Sequence, residues 1–401
     1  MAPPSPGWSA PPLPPEPPAP PVRPAGPARR GRRPVDRTPD DLLTLGASLA
    51  SAVSLCWLIF SRFTDGIGWF GFLVAVFASF LAIYYTVTAE QHGPLVARDR
   101  VATAIVMTGS AVLLVPLAWL VGYVIVRGSH GLRLGFFFHD QRGITPSMPS
   151  TAGGGSHAIL GTLEEVGLAL MFSLPLGLLC AVFLNESRSR WRRPVRIFVD
   201  AMSGLPSIVA GLFIFAVLII PYAKTTSFFG YNGLMAALAL SMIMLPTITQ
   251  TITVVLRLVP DGLREASLAM GSSRARMVWS IVLPTARTGI TTAVVLGIAR
   301  IVGETAPLLF TAFGYDLLNA NPTKGAQESL PLFIYRNVLK PNTNSVDRAF
   351  AGALVLMLLV LGLFVLARYI GRDSSGKKAK GGRRRALLAR ATSILPNAKA
   401  S

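Results

Sequence analysis

Eight stretches of this chain are each long and apolar enough to cross a lipid bilayer as a helix, which restricts the fold more than any other feature. They lie at about 43–61, 67–88, 102–126, 158–184, 198–221, 233–256, 289–313 and 348–369. A helix needs about 20 apolar residues to cover the hydrocarbon layer. No water is present there, so backbone N–H and C=O groups must be satisfied within the segment, and continuous apolar runs read as helices. Of 401 residues, 51% are hydrophobic and 14% charged, against about 25% charged in soluble domains. The expectation is an all-α polytopic membrane protein.

Several chemistries are excluded by what is missing. The two cysteines, Cys56 and Cys180, each lie in an apolar run, which leaves no disulfide framework and no cysteine zinc site. The four histidines (His92, His130, His139, His157) form no metal-ligand spacing, and no GxxxxGK[ST] phosphate loop occurs. No metal or cofactor is called for, and any ATP used must be hydrolysed by another chain.

The net charge of +19 is concentrated in the tails. Residues 1–41 hold six arginines and 15 of the 31 prolines, and residues 368–401 hold ten Lys or Arg. The first segment reads as a disordered, Pro/Arg-rich tail and not as a signal peptide. Nothing between the tails reads bases, so nucleic acid is not an expected partner; anionic membrane lipid is. With both termini inside, the inner segments carry 28 Lys or Arg and the outer loops 9, with Arg300 inside a span. That asymmetry places both ends in the cytoplasm. The chain divides into a tail (1–41), N-terminal transmembrane helices (42–126), an outer loop (127–156), a main helical domain (157–370) and a basic tail (371–401).

Residues 260–284, PDGLREASLAMGSSRARMVWSIVLP, are too patterned for a simple connector. Pro260 suits the first helical position and Asp261 the positive end of the dipole. Gly271 fits the position just past a helix end, Ser272 or Ser273 can cap a second helix, and Pro284 is expected to end it. On pattern alone this is a helix–turn–helix on the cytoplasmic face, or an amphipathic interfacial pair.

The seventh span carries Arg300 and Glu304, four residues apart and hence on one face of a helix. Arginine at the bilayer centre costs about 2.5–3.5 kcal/mol, so the pair must face the bundle interior or a wet path. A structural ion pair is one reading. The other is that Arg300 draws a tetrahedral oxyanion with its planar fork. Glu304 would then hold Arg300 and, as a hydrogen-bond acceptor, favour an anion that still carries a proton, such as monohydrogen phosphate. Pro175, Pro206, Pro246 and Pro307 each fall in a span, and Pro206 is expected to break the fifth helix near its start.

Glu265-Ala266-Ser267, Gly271, Ile281, Leu283 and Pro284 resemble the EAA loop of ABC importer permeases, with Ser267 for the second alanine. Residues 299–312, ARIVGETAPLLFTA, are similar to the hallmark of the phosphate importer permeases of the A type. Ile159–Leu163, Pro175–Glu186 and Gly204–Leu212 agree with it, and the likeness covers about 157–370. It implies the type I ABC importer transmembrane fold, six core spans here preceded by an extra hairpin with Trp57, Trp69, Tyr84 and Tyr85 as interface anchors. It implies a plasma (inner) membrane permease without enzymatic activity of its own. Its partners would be a homologous C-type permease, an ATPase dimer and an extracytoplasmic phosphate-binding protein, the last contacted by loops 127–157 and 314–347. Arg300, Glu304, Thr305, Gln250 and Ser207 would line the path of phosphate; Gln250 stands where many relatives have arginine. Glu265, Ala266, Ser267, Gly271, Leu283 and Pro284 would couple the chain to the ATPase. The alternatives are a permease for sulfate, molybdate or a polyamine, a standalone channel or secondary transporter, and a membrane scaffold.

Overall fold

A computed structural model describes residues 39–63 and 69–372; the proline-rich tail expected at 1–41 lies almost wholly outside them, as does nearly all of the basic tail. The helices are α1 (Pro39–Phe63), α2 (Trp69–His92), α3 (Pro94–Gly131), α4 (Ser156–Glu186), α5 (Arg192–Ser203), α6 (Ser207–Ile214), α7 (Ile220–Tyr222), α8 (Gly233–Arg257), α9 (Asp261–Ala269), α10 (Arg274–Met277), α11 (Leu283–Ile301), α12 (Ala306–Thr311), α13 (Leu330–Val338) and α14 (Thr343–Arg372). Among the described residues the structure is otherwise 3₁₀ and π turns, loops and one isolated bridge, Phe313 to Gln327. Seven helical stretches, or eight with one bent pair counted as a span, are long and apolar enough to cross a membrane.

Contacts divide the chain into two compact units at Val115/Pro116, within α3. In the first, α1 and α2 form the expected hairpin around Ala52, Phe80 and Tyr84, with the Phe80 and Tyr84 rings stacked at 5.6 Å.

The second unit is built on α4 and α8, its most extensively packed pair. Buried Ala169, Ser173, Gly177 and Ala181 recur every four residues on α4, giving a strip of small side chains that lets the backbones approach. The facing strip of α8 is larger: Met244, Ile248, Ile252 and Leu256 are fully buried. Polar side chains tie the pair, with Ser173 Oγ donating to Ser241 O at 3.3 Å and Asn185 Nδ2 to Thr253 O at 3.0 Å. α11 and α14 complete the bundle.

The fifth span is broken as the sequence suggests: α5 and α6 meet at 104° across Gly204–Pro206. The seventh is displaced. Residues Arg274–Ile301 run as one stretch, and the chain breaks at Gly303–Thr305 before the short α12, so 289–313 is not one helix. Pro284 does not end its helix. A π-turn at Val278–Val282 directly precedes it, and another at Phe215–Ile219 precedes Pro221. In each case the carbonyl that the proline ring would strike, four residues back, lies in the widened turn, so the helix passes through. Of the four prolines that fall in apolar stretches, Pro175 and Pro246 lie within helices, Pro206 caps α6 and Pro307 opens α12.

At one end of this unit the loops expected to meet a partner are packed on each other. Gln141 N donates to Asp316 O at 3.0 Å, and Leu318 N to Asp140 Oδ2 at 3.3 Å. Arg348, 2% exposed, donates from α14 to the carbonyls of Met148 (2.6 Å) and Pro149 (3.0 Å) and so pins the 145–149 turn.

Candidate functional site

Arg300 sits on the last turn of α11 and Glu304 in the break that follows, with Glu304 N donating to Ile301 O at 3.0 Å. The break follows from Gly303 and Pro307: glycine resists helix, and a proline favours a fresh helical start at its own position. The two charges therefore meet across a turn and not along a shared helical face, as the spacing alone suggested. Arg300 Nη1 bonds Glu304 Oε1 at 2.5 Å. Half of the Arg300 side chain is exposed but only 15% of Glu304. No other hydrogen bond or ion pair engages Arg300 among the described residues, so most of its five donors are free.

The two broken spans meet beside this pair. α6 packs on α12, and Gly211 lies so close to Pro307 that a Cβ there would stand 2.5 Å from the Pro307 Cα. Ser207 opens α6 and Thr305 precedes α12. Gln250 lies elsewhere on α8: its Nε2 donates to Asp200 Oδ1 at 3.1 Å and Ser203 Oγ at 3.4 Å, both on α5. No described hydrogen bond or ion pair joins Gln250 to Arg300 or Glu304.

The segment expected to couple to an ATPase follows the C-terminal end of α8. Pro260 caps α9 rather than starting it, and Gly271 has φ +81°. Ser272 N donates to Ser267 O at 3.2 Å and Gly271 N to Leu268 O at 3.0 Å, which is the Schellman pattern. Ser273 Oγ accepts from Arg276 N at 3.3 Å and caps α10. Leu263, Glu265, Ala266 and Met270 are exposed, as is Gly271. Ser267 is 2% exposed and Leu283 is buried as well, so the motif divides into an outward face and an inward anchor.

Two further polar groupings join residues that are remote in the chain. Arg264 is bonded to Glu186 and Asp261. At the loop end, Gln327–Leu330 is seated against the start of α4: a Cβ on Gly161 would lie 1.9 Å from Glu328 O, and Leu330 N donates to Thr162 Oγ1 at 2.8 Å. Gln327 Nε2 bonds Glu164, and Arg336 pairs with the buried Glu328. Burial lifts the Glu328 carboxyl to about 7, against the opposing pull of Arg336. A carboxyl raised in the fold binds more protons folded than unfolded, so stability falls as pH rises from about 4.5 to about 7 and is level above. The span corresponds to roughly 3 kcal/mol. Glu328→Gln should therefore lose melting temperature relative to the wild type at pH 5 more than at pH 8; a difference between variant and wild type that does not change with pH would contradict the assignment.

An all-helical bundle with two broken spans, a half-exposed ion pair beside them and a short helix displayed after α8 is the architecture of a multi-pass membrane protein. Residues 173–375 match the family of binding-protein-dependent transport system inner membrane components. The chain is 39% identical over 275 residues, 68% of its length and 88% of the relative's, to the phosphate transport system permease protein PstA 1 of Mycobacterium tuberculosis (strain CDC 1551 / Oshkosh). It is 35% identical over 276 residues, 68% and 90% of the two lengths, to the phosphate transport system permease protein PstA of Yersinia pestis. A bacterial alginate ABC transporter, solved with an alginate pentasaccharide-bound periplasmic protein, aligns over 70% of this chain and 96% of its own at 17% identity and a TM-score of 0.49. The chain belongs to the binding-protein-dependent family of inner-membrane components: it is a multi-pass permease of the ABC importer class and not an enzyme.

Proposed function

We propose that this chain is the A-type permease subunit of an importer that carries inorganic phosphate into the cell, powered by a separate ATPase. One observation carries the proposal: a half-exposed arginine, held by a single carboxylate, stands where two broken spans meet. Discontinuous helices at mid-membrane are where transporters place their binding sites. Lipid exposure of this pair would be costly, so the free donors of Arg300 face a wet path or a partner subunit. Glu304 orients Arg300 and repels fully deprotonated anions; Thr305 and Ser207 stand at the two helix breaks. The names of the relatives support phosphate as the solute.

The other half of the pore is a homologous C-type permease, the ATPase dimer receives α9 through Glu265, Ala266 and Gly271, and a phosphate-binding protein docks on the loops around 127–157 and 314–347. Both termini are cytoplasmic on the positive-inside asymmetry. The domain limits follow: 42–126 for the N-terminal helices, 157–370 for the permease proper. ATP-driven closure of the ATPase moves α9 as a knob in a socket, and the bundle alternates between facing out and facing in.

The test is labelled phosphate uptake by the reconstituted importer. Excess unlabelled phosphate should compete, and sulfate, molybdate and polyamines should not. Competition by sulfate as strong as by phosphate would refute the proton-dependent filter.

A further inference from the structure

α9 is only nine residues long and hangs between two joints: Leu258–Pro260 on the α8 side and Met270–Ser273 on the other. A helix pushed from outside moves the spans only if these joints do not absorb the displacement. Arg264 bridges the first joint. Its Nη2 donates to Leu256 O at 2.8 Å, and its Nη1 to Val259 O at 2.7 Å and Asp261 Oδ1 at 2.7 Å. Its Nε pairs with Glu186 Oε1 at 3.3 Å. One guanidinium thus binds the first turn of α9, the carbonyl end of α8 and the last residue of α4. It is 16% exposed, and a cation at the negative end of α8 is also favoured by the helix dipole. The planar fork suits this work: several donors leave one rigid group in fixed directions, which an ammonium cannot reproduce.

We propose that Arg264 is the positioning residue that makes α9 a rigid extension of α4 and α8. Motion imposed on α9 then passes into the most closely packed pair of the bundle, and from α8 to α11, which carries Arg300. The inference rests on the permease reading above and deepens it: Glu265, Ala266 and Gly271 meet the ATPase, whereas Arg264 faces inward and decides whether that contact moves the spans.

The experiment uses the complete importer in proteoliposomes, with labelled phosphate uptake and ATP hydrolysis measured on the same vesicles. In Arg264→Gln the ATPase should co-purify as in the wild type and hydrolyse ATP within about twofold of its rate, while phosphate taken up per ATP falls roughly fivefold or more. Arg264→Lys, which restores the charge but not the fork, should give an intermediate ratio. An unchanged ratio in Arg264→Gln overturns the inference. So does a fall in uptake and hydrolysis in equal proportion, because that is the signature of less folded complex. Should Arg264→Gln fail to assemble, Arg264→Lys is judged by the same ratio. Wild-type vesicles that take up no phosphate with ATP would refute the permease reading itself, before any variant is compared.

Discussion

Arg300→Leu is expected to abolish phosphate uptake, by about a hundredfold or more, with the protein still assembled in the membrane. Hydrogen bonds to charged groups are worth about 1.5–3 kcal/mol each, so losing two from a single fork suffices for that factor. Arg300 is half exposed and makes no described bond beyond the one to Glu304, so the cost to assembly is confined to the lost partner of that one carboxylate. Glu304→Gln separates the two roles of the pair. It leaves the arginine charge but removes the carboxylate that repels fully ionised anions, so uptake should fall less and sulfate should begin to compete. The check is labelled uptake at matched membrane levels of the chain. Retained uptake in Arg300→Leu would remove the arginine from the path.

The second large effect is expected at the coupling segment. Gly271 stands at φ +81°, a conformation that β-branched residues adopt only with strain. Gly271→Val should therefore open the Schellman turn and misdirect α10, which leads through the π-turn into α11. Glu265 is exposed, so Glu265→Ala removes a docking charge without touching the core. Together the two changes should reduce ATPase recovered with the affinity-purified chain about tenfold or more, since a charged pair desolvated at an interface is worth about 2–5 kcal/mol when one partner is lost. Wild-type recovery would favour a transporter that needs no ATPase.

The spans were legible because a bilayer imposes a minimum apolar length that few other structures require. α4, α8 and α14 fall where the apolar runs place them, and Gly204–Pro206 breaks the fifth span as its residues suggest. The seventh span begins earlier than its apolar run for a definite reason. Pro284 reads as a stop, but a π-turn one residue earlier lets the helix run from Arg274 to Ile301, and the true break falls at Gly303–Thr305. Periodicity does not reveal a π-turn. The pairing of Arg300 with Glu304 was visible in the spacing, yet it is realised across a turn. Ser267, expected on the docking face, points inward, because a nine-residue helix has room for both a bundle face and a partner face. The Arg264 clamp and the seat of Gln327–Leu330 on α4 join residues as far as 78 and 168 positions apart, and no local pattern carries such contacts.

The central claim is that the Arg300–Glu304 junction is wetted by the path of the transported anion. Its most direct test is the reactivity of a thiol placed beside the pair by Thr305→Cys, with Cys56 and Cys180 replaced, in the assembled importer. A water-soluble thiol reagent should label the site, and added phosphate should slow the labelling while sulfate does not. A thiol that water-soluble reagents never reach, or that reacts at one rate with and without phosphate, would contradict the account.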